Sequence, residues 1–230
     1  MITQLRAPDP APAPTGLFVT FEGGDSAGKS TQIHLLRDRL AERAGLDADE
    51  VLVTREPGGT PFGASVRELV LHGDHVDPRA AALLYAADRA HHIATVVRPR
   101  LEAGGAVLAD RYLDSSIAYQ GAGRALDPGQ VGALSLWAAD GLLPHRTILL
   151  DIPVETIRHR RTAASLDRLE RAGEAFHAAV REQYLALAAA DPQRWRVIDG
   201  SGTSEQVAAE ILSALGPDLD AFAASRRDAP

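Results

Sequence analysis

Gly23, Gly28, Lys29 and Ser30 hold the fixed positions of G-x-x-x-x-G-K-[ST] within GGDSAGKS, residues 23–30. That spacing serves phosphate binding. Glycines let successive backbone N–H groups turn inward on phosphate oxygens, a following helix aims its positive end at them, and the lysine reaches the outer phosphates. Ser30 offers a hydroxyl to Mg²⁺. Gly24, Asp25, Ser26 and Ala27 complete the loop, and Thr31 follows it into the next element. Of the 24 basic residues, 23 are arginine and Lys29 is the only lysine. A compact ammonium persists where a planar fork would not fit. The bland alternative is an ordinary glycine-rich turn between a strand and a helix.

Further along, Asp110-Arg111-Tyr112 follows an apolar run. An acidic residue at such a strand end can hold Mg²⁺ or its water shell, and Arg111 can clamp a second phosphate with two parallel hydrogen bonds. Ser116, Tyr119 and Gln120 are polar groups on a short helix near the same mouth. Arg55-Glu56-Pro57-Gly58-Gly59-Thr60 reads as a fixed turn at another strand end, with Arg55 and Glu56 at the site or, alternatively, forming an incidental surface ion pair. Tyr85 and Arg89, four residues apart, lie on one side of a helix. Ring and fork could take a nucleobase by its face and its edge, or could be a core tyrosine beside a surface arginine. Arg158, Arg160, Arg161 and Arg168 fall within eleven residues and suit either a basic flap that closes on polyphosphate or a solvated helix end.

These residues need elements to hold them. Leu17 to Glu22 reads as a strand, followed by the loop and a helix to about Ala44 carrying Ile33, Leu36 and Leu40 at helical spacing. Val51 to Thr54, Gly105 to Ala109, Thr147 to Asp151 and Trp195 to Asp199 add four strands. Between them, helices are predicted with Phe62, Val66, Leu69 and Val70 on one face, from Pro78 to about Val97, and from Pro128 to Asp140 with Val131, Leu134, Leu136 and Trp137 on its apolar side. Two more run from about Gly173 to Ala190 and from Ser204 to Leu215. Residues 1–15 alternate Ala and Pro and read as a disordered leader, and 216–230 as a flexible tail. Residues 16–215 then form one domain.

At 230 residues and 45% hydrophobic content, the chain can bury one substantial α/β core. It has no cysteine, hence no disulfide framework and no thiolate zinc site. Its eight histidines show no metal-ligand spacing; adjacent His91 and His92 point about 100° apart on a helix. A net charge of −7 argues against a broad nucleic-acid surface but permits local arginine clusters that grip small phosphates. With neither a membrane-spanning run nor a secretion signal, the expected compartment is the cytoplasm.

Taken together, FEGGDSAGKSTQ (21–32), TREPGGT (54–60), LLYAADR (83–89), LADRYLDSSIAYQGAGR (108–124) and LDRLE (166–170) resemble the bacterial thymidylate kinases. The resemblance covers most of residues 17–215. It implies an α/β P-loop NTPase fold, with a central five-stranded parallel sheet, helices on both faces and a short lid over about 158–172. It also implies phosphoryl transfer from ATP to dTMP with Mg²⁺, by a homodimer. By motif position, Tyr85 would stack on thymine and Arg89 bond its edge. Ser116 and Gln120 would complete the base pocket, with Pro57 and Ser115 also at the acceptor site, and Tyr119 would lie near the sugar and disfavour a ribose. Arg111 would hold the monophosphate, Asp25 would lie near the sugar hydroxyl and the transferring group, and the lid arginines, Arg160 and Arg168 above all, would cover ATP. Two departures stand out: the lid's arginine spacing, and Ser26, where many members have Gly, a change that is tolerable if the backbone there stays at negative φ.

Overall fold

The computed structural model describes residues 15–47, 50–122, 126–156 and 173–227. Five parallel strands form one sheet in the order β2-β3-β1-β4-β5. They are β1 (Leu17–Gly23), β2 (Val51–Arg55), β3 (Ala106–Asp110), β4 (Arg146–Asp151) and β5 (Trp195–Asp199). All seven residues of β1 are buried, as a central strand covered on both faces requires. Its alternate side chains divide the core. Val19 and Phe21 pack with Ile33, Leu36 and Leu40 of α1 (Lys29–Ala44) on one face, while Phe18 packs with Val97, Leu101, Val107 and Tyr112 on the other.

The second face carries α2 (Pro61–Arg67), α3 (Pro78–His92), α4 (Arg98–Glu102), α5 (Leu113–Ser116), α6 (Pro128–Ala138) and α7 (Glu174–Ala190). Single π-helical stretches, Glu68–His72, Ile93–Val97 and Ile117–Ala122, extend α2, α3 and α5. Thr60 caps α2 by accepting from Gly63 N–H at 2.9 Å, and Asp77 and Asp127 cap α3 and α6. Among the described residues, no helix is long and apolar enough to cross a membrane.

Two predictions need correcting. The sequence predicts a helix ending at Leu215 and a flexible tail beyond it; α8 instead runs unbroken from Ser204 to Arg227 with Pro217 inside. A proline inside a helix costs about 3 kcal/mol. Here Leu219 and Phe222 are buried against the α1 face of the sheet, at about 2 kcal/mol each. Arg43 pairs with Asp220 and Arg146 with Asp218, both at 2.6 Å. Packing therefore outweighs the proline. The second correction concerns faces. Val66, Val70 and Val131 are buried as predicted, but Phe62, Leu69, Leu136 and Trp137 are exposed, Trp137 to 72%. The leader up to residue 14 and the lid over 158–172 lie outside the described residues.

Parallel strands deliver their carboxyl ends to one edge. Phe21 of β1 pairs with Asp110 of β3, which in turn pairs with Arg55 of β2. The glycine loop, the Arg55 turn and the Asp110-Arg111 pair are therefore neighbours by topology.

Candidate active site

Between β1 and α1 the chain turns through Gly23 at φ 127° and Gly28 at φ 99°. A Cβ on Gly23 would lie 2.6 Å from the Leu150 carbonyl oxygen, so only glycine fits there. Ser26 also has positive φ, at 61°, and so does not meet the condition of a negative value. A left-handed serine costs on the order of 1 kcal/mol, held here by the loop around it. Ala27 points its methyl into the core and contributes only backbone to the loop. Gly28 caps α1 without a side-chain acceptor, and no acidic residue occupies the first turn, so the amides of Ser30 and Thr31 remain available to an anion. Lys29 is buried, its Nζ donating to the carbonyls of Gly23 at 3.2 Å and Gly24 at 2.9 Å. Burial, and secondarily Arg111, lower its pKa.

Next to this loop, the Ser30 hydroxyl donates to Asp110 Oδ2 at 3.1 Å. Asp110 Oδ1 is buried and has no hydrogen-bond partner among the described residues. A hydroxyl and a spare carboxylate oxygen suit a hard divalent cation that takes its other ligands from water and phosphate. Among the described residues no group of three or more His, Asp or Glu is arranged to hold a metal ion.

A second cavity opens on the far side of Arg111. Asp25, Glu56, Pro57, Tyr85, Arg89, Arg111, Ser115, Ser116, Tyr119 and Gln120 all line it, joined by Arg67, Leu71 and Tyr112, which sequence reasoning misses. Arg89 is not the surface residue of the bland reading. It is 2% exposed, with Nε on Glu56 at 2.8 Å, Nη2 on Ser116 at 3.2 Å and Nη1 lacking a partner among the described residues. A buried guanidinium needs a buried counter-charge, and Glu56 supplies it. Behind them His92 bonds Glu56 at 2.9 Å and Thr54 at 2.7 Å, a brace that no spacing in the sequence announces.

Arg111 stands between the two cavities with its backbone at φ 69°. Its N–H donates to Phe21 O, and its guanidinium lies 4.9 Å from the Tyr119 ring centre. Nη2 meets Asp25 at 2.6 Å and Tyr119 at 3.2 Å; Nη1 meets Ser115 at 3.1 Å and Tyr184 at 3.3 Å. Below it Glu22 is buried, and burial, reinforced by Asp114, pushes its carboxyl up to about 7. Asp114 is itself fully buried and held by Arg194 through bonds of 2.7 and 3.0 Å. Glu22, Tyr184 and Arg194 also go unread in the sequence.

Asp25, Glu56 and Arg111 line the phosphate-loop cleft as well, together with Ser26, Gly28, Lys29, Ser30, Thr31, Arg55 and Asp110. The structure thus brings together every described candidate except Gly23, Gly24 and Ala27, which shape the loop. Arg158, Arg160, Arg161 and Arg168 fall outside the described residues.

The family model described as thymidylate kinase matches residues 21–211. A thymidylate kinase of Leifsonia xyli is 61% identical over 204 residues, covering 87% of this chain and 94% of its own. One from Clavibacter sepedonicus is 57% identical over 200 residues, covering 86% and 93%. Among solved structures, the thymidylate kinase of Ehrlichia chaffeensis superposes with a TM-score of 0.73 at 31% identity, covering 87% of this chain and 98% of that one.

Proposed function

The chain belongs to the thymidylate kinase family, whose members convert dTMP to dTDP with ATP and Mg²⁺, and we propose that it works by direct in-line transfer without a covalent enzyme intermediate. The observation that carries this reading is the wall shared by the two cavities. Asp25, Glu56 and Arg111 line both, so an acceptor in one presents its phosphate to a donor in the other. Positioning and charge neutralisation then do the catalysis.

On the acceptor side, Tyr85 stacks on thymine and the free Nη1 of Arg89 bonds its edge. Ser116 and Gln120 close the base pocket against Pro57, and Tyr119 crowds the sugar where a ribose would carry its extra hydroxyl. Arg111, backed by Ser115, takes the monophosphate, and Asp25 lies between it and the transferring group. On the donor side, the amides from Gly24 to Thr31 cradle the ATP phosphates and Lys29 leaves the loop carbonyls for them. Ser30 and Asp110 would hold Mg²⁺, which when bound neutralises charge on the phosphates. Arg55 lies at the edge of the same cleft, and the lid arginines, Arg160 and Arg168 among them, close over ATP.

We further read the enzyme as a cytoplasmic homodimer that binds no nucleic acid. Phe62, Leu69, Leu83, Leu136 and Trp137 expose apolar surface on the neighbouring helices α2, α3 and α6, which supports a second copy docking there. The net charge of −7 disfavours a polyanion. The test is ADP release with ATP, Mg²⁺ and dTMP, dUMP, dCMP or dGMP in turn, with product identified by chromatography. Fast release with dTMP and matching dTDP is expected. Preference for another monophosphate would overturn the assignment of Tyr85, Arg89 and Ser116.

A further inference from the structure

Glu22 is the penultimate residue of the strand that leads into the phosphate loop, and its side chain reaches neither cavity directly. Its carboxylate is instead surrounded by donors. Tyr112 N–H donates to Oε1 at 2.8 Å, and the hydroxyls of Ser115 and Tyr184 donate to Oε2 at 2.6 and 2.8 Å. The same two hydroxyl oxygens touch Arg111 Nη1. A hydroxyl has one proton to give. Because both protons point at Glu22, each oxygen can meet Arg111 only as an acceptor.

We propose that Glu22 is a positioning residue for the acceptor phosphate: by drawing the protons of Ser115 and Tyr184 to itself, it turns their lone pairs onto Arg111 and fixes the guanidinium for dTMP. This rests on the reading of Arg111 as the monophosphate holder. The Ser115 and Tyr184 oxygens also lie 2.9 Å apart. Without an anion behind them, one hydroxyl would donate to the other and leave Arg111 with fewer acceptors.

Glu22→Gln isolates this effect, since the amide keeps the shape and reverses one group. With its NH₂ toward the hydroxyls it competes with Arg111 Nη1 for their lone pairs and leaves their protons without the carboxylate that accepted them. Flipped, it sets NH₂ against Tyr112 N–H. Neither orientation satisfies the network. Binding of dTMP and of thymidine, which has no phosphate, is measured by calorimetry on the full chain at a pH at least one unit above 7, where Glu22 is the anion. Glu22→Gln is expected to weaken dTMP about tenfold, the scale of one charge-assisted hydrogen bond, and to leave thymidine within about twofold. Tyr184→Phe, which keeps Glu22 and removes one of the two acceptors, is expected to show a smaller loss with the same selectivity.

Equal weakening of both ligands would mean that Glu22 merely supports the fold, and unchanged dTMP binding would mean that Arg111 needs no such help; either overturns the inference. Arg111→Ala separates this failure from that of the underlying reading. If it abolishes the preference for dTMP over thymidine while Glu22→Gln does not touch it, only the role of Glu22 falls. If Arg111→Ala leaves the preference intact, both fall.

Discussion

The two halves of the cleft are built by different means. The donor half is mostly local: a loop of eight residues, the first turn of one helix and a single lysine resting on carbonyls five and six residues upstream, with Asp110, 80 residues beyond Ser30, and Arg55 brought to its edge. The acceptor half is assembled from afar. Arg89 is fixed by Glu56, 33 residues away, and Arg111 by Asp25, 86 residues away, while Glu22 meets Tyr184 across 162 residues of chain. Backbone amides can bind a phosphate wherever the local fold presents them. A buried guanidinium, by contrast, needs a counter-charge that only the tertiary fold delivers. Damage to the donor half should therefore cost turnover alone, and damage to the acceptor half should cost affinity and stability together.

Lys29→Ala is the largest expected effect. Removing a cation aimed at charge that develops in transfer lowers kcat by about a thousandfold. Nζ bonds only carbonyls that water can reach once the side chain is gone, so the urea midpoint should move by less than about 1 kcal/mol of equivalent stability. Loss of kcat with comparable unfolding would erase the contrast between the halves.

Arg89→Ala tests the other side. The KM for dTMP should rise about a hundredfold while the KM for ATP changes little, because buried bonds to a base edge are lost on one side only. It should also lower stability by about 3 kcal/mol, since Glu56 is left buried with only His92 beside it. Urea unfolding and the two KM values, measured on one preparation, decide this. An intact fold with equal rises in both KM values would remove Arg89 from the base pocket.

The same contrast explains what the sequence reveals. Gly23 to Ser30 is legible because its function is its local spacing, and the apolar runs are legible because the central strands β1, β3 and β4 are buried on both faces, while the edge strands β2 and β5 keep only part of each run buried. Tyr85 and Arg89 can be placed on one side of a helix, but not inside it, because the carboxylate that permits burial sits on another element. His92, Tyr184 and Arg194 are unreadable for the same reason. Gly216-Pro217 misleads in the other direction. It marks a helix end by local chemistry, and the buried Leu219 and Phe222 override it. Phe62, Leu69, Leu136 and Trp137 mislead because helical periodicity finds an apolar stripe without telling a core from a docking face.

The smallest expected effect sharpens the comparison through pH. Asp88, beside Arg89 on α3, is fully buried next to the Gly58 backbone amide, and it presses on α2 so closely that a Cβ on Gly63 would collide with it. Burial first, and then the nearby Glu56, push its carboxyl up from 3.8 to about 6. The folded chain thus holds this proton more tightly than the unfolded chain does. Stability from this group is fully present below about pH 4 and is lost as pH rises through about 6, by about 3 kcal/mol in all. Asp88→Asn has no proton to lose. The stability of the native chain minus that of Asp88→Asn, from urea unfolding at each pH, should therefore fall between pH 4 and about 6.5 and be level above it, while groups elsewhere cancel. A flat difference across that range would mean that water reaches Asp88, and that the acceptor half is less tightly closed than its ion pairs imply.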